Sequence, residues 1–114
     1  MANDFKRFCV PSVGTSNTTL YTVPGSSKES IVIGITMANK TNTGITGSIF
    51  IDNEDGSNDV FIVKNATIPA GASLEVMSGN KLVLQNDGSN GDNLEALASA
   101  ASAVDITVSV LEDV

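Results

Sequence analysis

The sequence predicts an all-β protein, a single-domain antiparallel β-sandwich that is jelly-roll-like and has about eight strands. Three observations carry this. Residues 104–111, VDITVSVL, alternate between apolar and polar side chains, the period of a strand with one buried face. Short apolar runs recur along the chain every 8–12 residues, separated by Gly, Pro and Asn clusters. The core formers are Val, Ile, Leu and Ala, because aromatics make up only 4% of 114 residues and Trp is absent. Hydrophobic residues at 41% argue for a folded chain. The length suits one domain, and no internal repeat or linker divides it.

Each element follows from local chemistry. Residues 1–13 place Phe5, Phe8 and Val10 beside Lys6 and Arg7, and Pro11 breaks any helix. The segment reads either as a first edge strand or arm on its own domain, or as an arm that docks on a neighbouring subunit. The expected division is an N-terminal arm over 1–13 and a sandwich over 14–114. In the docking reading the candidate assembly contacts are Phe5, Lys6, Arg7, Phe8 and Val10, with the aromatics as anchors and the bases facing acidic surface. Residues 18–23 form a strand of Thr, Leu, Tyr and Val. Residues 24–27, PGSS, make a turn. Residues 30–38, SIVIGITMA, form a strand with Ile31, Ile33, Ile35 and Met37 on one face, which is expected to be buried. After a polar loop, residues 45–51 form the next strand. Residues 52–59, DNEDGSND, read as a polar turn, and 60–63, VFIV, as a short strand apolar enough for a sandwich core.

The chain is organised around residues 64–84. Pro69 fixes φ and Gly71 tolerates positive φ, so 68–71 suit a tight turn. Ile62 precedes that turn, and Ala72, Leu74 and Val76 follow it at alternating positions, the pattern of strand, reversal, strand. A second reversal is expected at 78–80 before Leu82, Val83 and Leu84. Residues 85–93 are loop. Residues 93–103, NLEALASAASA, are ambiguous, since Asp92 and Glu95 resemble a capping box. The run is short and its neighbours read as strands, so a strand at 94–97 followed by a loop is expected. Residues 104–111 close the sheet, with Val104, Ile106, Val108 and Val110 inward.

Composition excludes several functions. Thirteen acids against six bases give a net charge of −7, unsuited to nucleic acid or an anionic membrane surface. No apolar run approaches the roughly 20 residues of a spanning helix. No hydrophobic leader opens the chain, so first folding in a cytoplasm is expected. The single cysteine, Cys9, permits no intrachain disulfide and is expected to be a small buried or half-buried apolar residue. Without histidine there is no Ser-His-Asp or Cys-His centre and no His-containing zinc site. Phosphate-binding glycine loops are missing too. No catalytic residue, cofactor or metal is expected. The acidic turns at 52–59 and 86–92 lack EF-hand spacing, and turn chemistry explains both. Asn17, Asn39 and Asn65 head Asn-x-Thr triplets, which follow from a Thr/Asn-rich β protein.

Residues 19–24, TLYTVP, the strand ending Met37-Ala38-Asn39, the run VKNATIPAGASLEV, the run KLVLQNDGSNGDNLEAL and the closing SAASAVDITVSVLE together resemble small β-rich structural proteins of tailed bacteriophages, of the marine and cyanobacterial phage type. The likeness covers most of the chain from Thr19 onward, with an extended loop at 85–93. It implies a non-enzymatic virion structural protein assembled in the host cytoplasm. The expected role is capsid decoration on the head exterior, as a homotrimer in contact with the major capsid protein, with a neck, tail or fibre-adaptor role as the alternative. A carbohydrate-binding module is the rival from another class. Such modules present aromatic platforms, whereas Tyr21, Phe50 and Phe61 here lie within strand patterns.

Overall fold

A computed structural model describes residues 3–23, 29–52, 59–77, 81–86 and 91–113. The described residues form nine strands and no helix. In chain order these are β1 (Asn3–Val13), β2 (Thr18–Thr22), β3 (Glu29–Asn39), β4 (Ile45–Asp52), β5 (Asp59–Ile68), β6 (Ser73–Met77), β7 (Leu82–Gln85), β8 (Asn93–Ala98) and β9 (Val104–Asp113). One sheet runs β1-β9-β3-β6, with β7 also on β3; the other runs β2-β8-β4-β5, and every pairing is antiparallel. Successive strands mostly alternate between the sheets, which is jelly-roll connectivity. The ambiguous segment resolves as strand β8 with a following loop, as the neighbouring strands required.

The core lies between the two sheets. Val104, Ile106, Val108 and Val110 of β9 are all buried, as their alternation predicts. They meet Ile49, Leu94, Ala96 and Ala98 of the opposite sheet within one apolar cluster. Gly47 belongs to this fit, because a Cβ there would lie 2.5 Å from the Met37 Cε methyl.

On β3 the expected inward face is corrected. Val32 pairs with Val110, but Gly34 pairs with Ser109, so Ile33 is an extra residue in the ladder. A bulge of one residue reverses which side chains point inward. Ahead of it Ser30 and Val32 are buried; beyond it Ile35, Met37 and Asn39 are. Ile33 is instead 38% exposed, and Ile31 is only half-buried.

The turn after β5 is as expected. The Ala72 amide donates to the Pro69 carbonyl at 3.0 Å, with Gly71 at φ 69°. The flanking strands do not pair with each other, however. β5 lies on β4 and β6 lies on β3, so the turn carries the chain from one sheet to the other. Asn39 holds this corner. Its Nδ2 donates to the carbonyls of Thr43, Ile68 and Pro69 at 2.9, 3.0 and 3.2 Å, and its Oδ1 accepts from the Thr41 amide and hydroxyl. Such burial also removes Asn39 as a surface amide.

The second expected reversal, at 78–80, lies outside the described residues. Its flanks, β6 and β7, both run antiparallel to β3. The turn expected at 24–27 and most of the acidic turns also fall outside the described residues. The apolar run at 60–63 belongs to β5, an edge strand, which leaves Val60 and Phe61 exposed rather than in the core.

Candidate assembly surface

β1 is the edge strand of the first sheet, paired with β9 from Asn3↔Asp113 to Val13↔Val104. Strand alternation divides the five candidate contacts between its two faces. Phe8 and Val10 face inward and pack against the core, and the Phe8 ring lies 5.0 Å from that of Tyr21. Lys6 shares this side, its Nζ 2.9 Å from Glu112 Oε1. Phe5 and Arg7 take the outer face with Cys9, and all three are exposed. Cys9 is thus an exposed thiol rather than a half-buried apolar residue. It borders an open depression of about 290 Å³ beside Pro11 and Thr107.

The inner side of β1 anchors a buried polar cluster. The Tyr21 hydroxyl donates to Glu112 and lies 2.7 Å from Ser30 Oγ. Burial, and then the Glu112 carboxylate, push the Tyr21 hydroxyl up. For Glu112, burial acts upward, but the Tyr21 hydroxyl and Lys6 outweigh it and hold the carboxyl below its ordinary 4.5. Four strands, β1, β2, β3 and β9, therefore meet in this cluster. A carboxylate with a depressed value contributes stability above its ordinary value and loses it as pH falls through the folded value. Wild-type protein is expected to lose melting temperature below about pH 4.5. Glu112→Gln should cost about 1–3 kcal/mol at neutral pH, with the gap to wild type closing in acid. Melting curves of both proteins across that range check this; a constant gap would assign the stability elsewhere.

The outer face of the same sheet is a different surface. Phe5 pairs with Leu111, Leu111 with Ile31, and Ile31 with Val83. These four apolar residues form one row across β1, β9, β3 and β7, about 14 Å between its outer members at the ordinary strand spacing. Phe5 is 72% exposed and Val83 53% exposed, and the extruded Ile33 adjoins the row. Two residues further along, the row is Arg7, Ser109 and Gly34, and beyond it Cys9, Thr107, Thr36 and Glu75. The apolar row is flanked by polar residues on both sides, since beyond it in the other direction Asn3 pairs with Asp113 and Glu29 with Gln85. Sequence reasoning identified Phe5 and Arg7 here. It missed Ile31, Ile33, Val83 and Leu111, because alternation alone cannot place a bulge or reveal which strands stand side by side.

The second sheet offers another exposed group at its β5 edge. Phe61 is exposed, its ring 5.2 Å from that of buried Phe50 and under the Lys64 ammonium at 5.0 Å. Nearby, burial and then the charges of Asp52 and Asp59 push the Glu95 carboxyl up. Among the described residues, no group of three or more acidic or thiol side chains is placed to hold a metal ion. The exposed aromatics Phe5 and Phe61 stand on different sheets and form no joint platform for a sugar ring.

No family model matches the chain, and no curated protein matches it. Among solved structures it is similar to a protein of the Bacillus endospore appendages, a novel family of disulfide-linked pili, with a TM-score of 0.59 and 13% identity over 98% of this chain and 88% of that one. It is also similar to a protein in the acidic stable capsid structure of Helicobacter pylori bacteriophage KHP30, with a TM-score of 0.52 and 13% identity over 100% of this chain and 89% of that one. At such identity the likeness is one of fold, a β-rich sandwich.

Proposed function

We propose that this chain is a non-enzymatic structural protein of a bacteriophage virion, and within that class a capsid decoration protein on the head exterior. The observation that carries the reading is the exposed row Phe5, Leu111, Ile31 and Val83. Contiguous apolar surface on a soluble sandwich marks a contact with another macromolecule. The fold shared with the phage KHP30 capsid structure supports the viral setting. The bacteriophage resemblance over most of the chain from Thr19 onward supports it too.

A decoration protein needs contacts with its own copies and with the major capsid protein. Two separate apolar surfaces, the outer face of the first sheet and the Val60–Phe61 edge of the second, meet that need. A net charge of −7 keeps free copies apart until docking brings apolar groups together. Mass spectrometry of purified virions, counted against the major capsid protein, tests the role. Many copies released by mild treatment, with heads left intact, are expected. Absence from the particle would overturn the virion reading, and a few copies confined to tail fractions would overturn decoration.

A further inference from the structure

We infer that the apolar row Phe5, Leu111, Ile31 and Val83 packs on the same row of a second copy of this chain, about a two-fold axis that lies between the two sheets and runs along the row, across the strands. The inference names the self-contact within the assembly reading above, and rests on it for its setting. What selects a second copy is the charge on either side of the row. Towards one end of the strands the next row begins at Arg7, paired with Ser109, and ends at Lys81. Lys81 precedes Leu82, the partner of Val32, and so stands level with the extruded Ile33. Towards the other end the next row holds Asp113, paired with Asn3, and Glu29, paired with Gln85. Arg7, Lys81 and Glu29 are exposed. The row is thus bordered by two bases on one side and two acids on the other.

A half-turn about the row lays each strand over its own counterpart in the opposite direction, with the strands of the two sheets aligned, as facing sheets commonly pack. The basic border of each copy then meets the acidic border of the other. Lys81 comes over Gln85 of the second copy, one strand spacing, about 4.8 Å, from its Glu29. Arg7 comes over Asn3 of the second copy, one strand from its Asp113. Like charges stay apart. Glu29 and its counterpart, and Arg7 and the other copy's Lys81, are two rows, roughly 14 Å, from each other along the strands. An axis parallel to the strands does the opposite, since it sets Arg7 level with Lys81 and Asp113 against Glu29. The charges therefore favour one of the two in-plane two-folds. Each contact occurs twice, as an isologous interface requires. A three-fold assembly would use a heterologous contact and set this face against a different surface. A different protein as occupant would have to supply both borders in the same order, which a second copy does by symmetry.

The test is the oligomeric state of the full chain by analytical ultracentrifugation at micromolar concentration. A dimer is expected. Lys81→Glu and Glu29→Lys should each weaken dimerisation about tenfold or more through like-charge contact. Either the double variant or an equimolar mixture of the two single variants should restore it. Rescue in the mixture requires residues 29 and 81 of different copies to meet, because within one chain they stand two rows apart. Lys81→Glu also tests the axis, since it would relieve a clash with Arg7 in the strand-parallel arrangement and tighten that dimer. Phe5→Glu sets a carboxylate against its own counterpart at an exposed position. It should yield a monomer with an unchanged circular dichroism spectrum, which separates loss of contact from loss of fold. A monomeric or trimeric wild type would overturn the inference, as would a dimer that Lys81→Glu tightens or that the mixture fails to rescue. The virion reading is judged separately. A monomer found on heads ends the inference alone, and a rescued dimer absent from virions ends that reading alone.

Discussion

Replacing Ile106 by Asp is expected to unfold the domain or to lower its stability by about 4 kcal/mol or more. Ile106 sits at the middle of β9, between β1 and β3, and is 1% exposed. Its neighbours along the strand on the inner face are Val104 and Val108, both fully buried. No base is among the residues of this cluster, so the new carboxylate has neither water nor a counter-charge there. Ile106→Val removes one methylene and should cost only about 1 kcal/mol, which separates the charge effect from a packing effect. Urea titrations of the three proteins measure both differences. An unchanged midpoint for the Asp variant would show that the two sheets do not close over this position.

Asn39→Leu is expected to cost about 3–4 kcal/mol although it makes the side chain more apolar. The amide group spans the corner where β5 leaves one sheet and β6 enters the other. Its Nδ2 serves carbonyls from two separate segments, and its Oδ1 holds the Thr41 turn. Leucine leaves the buried Ile68 carbonyl without this donor and frees both turns together. Asn39→Asp should be comparably harmful, because a carboxylate would face the same three carbonyl oxygens. Denaturant melts report the stability of each variant, and amide exchange at Ala72 reports whether the Pro69 turn has opened. Stability equal to wild type in the Leu variant would mean that the turn residues alone define the corner.

Turn and strand chemistry were readable wherever they depend on near neighbours. Pro69 and Gly71 define their turn through their own φ preferences, and β9 declares its inward face by an unbroken alternation. The strand at 93–98 was readable from the company it keeps, against a local helix signal. Asn39 gave no such sign: within an Asn-Lys-Thr triplet it looks like loop polarity, and its role depends on carbonyls 29 and 30 residues away.

The candidate surface was legible only in part. Phe5 and Arg7 stood out as apolar and basic residues at the start of an acidic chain. Their separation from Lys6, Phe8 and Val10 follows from two-residue periodicity once residues 3–13 are known to be a ladder strand. Glu112 and Tyr21, 91 residues apart, then explain why Lys6 turns inward. Ile31 and Ile33 looked like core because alternation counted from Ile35 assigns them inward, and the extra residue at Ile33 cancels that count.

By itself, the sequence determined the fold class, most of the strands and the turn at Pro69, because each depends on the conformational preferences of adjacent residues and on burial of an alternating face. Tertiary structure alone decided the pairing of strands, the bulge in β3 and the apolar row from Phe5 to Val83. Pairing joins residues as distant as Asn3 and Asp113, and it is selected by the packing of both sheets at once. No local run of residues encodes that choice.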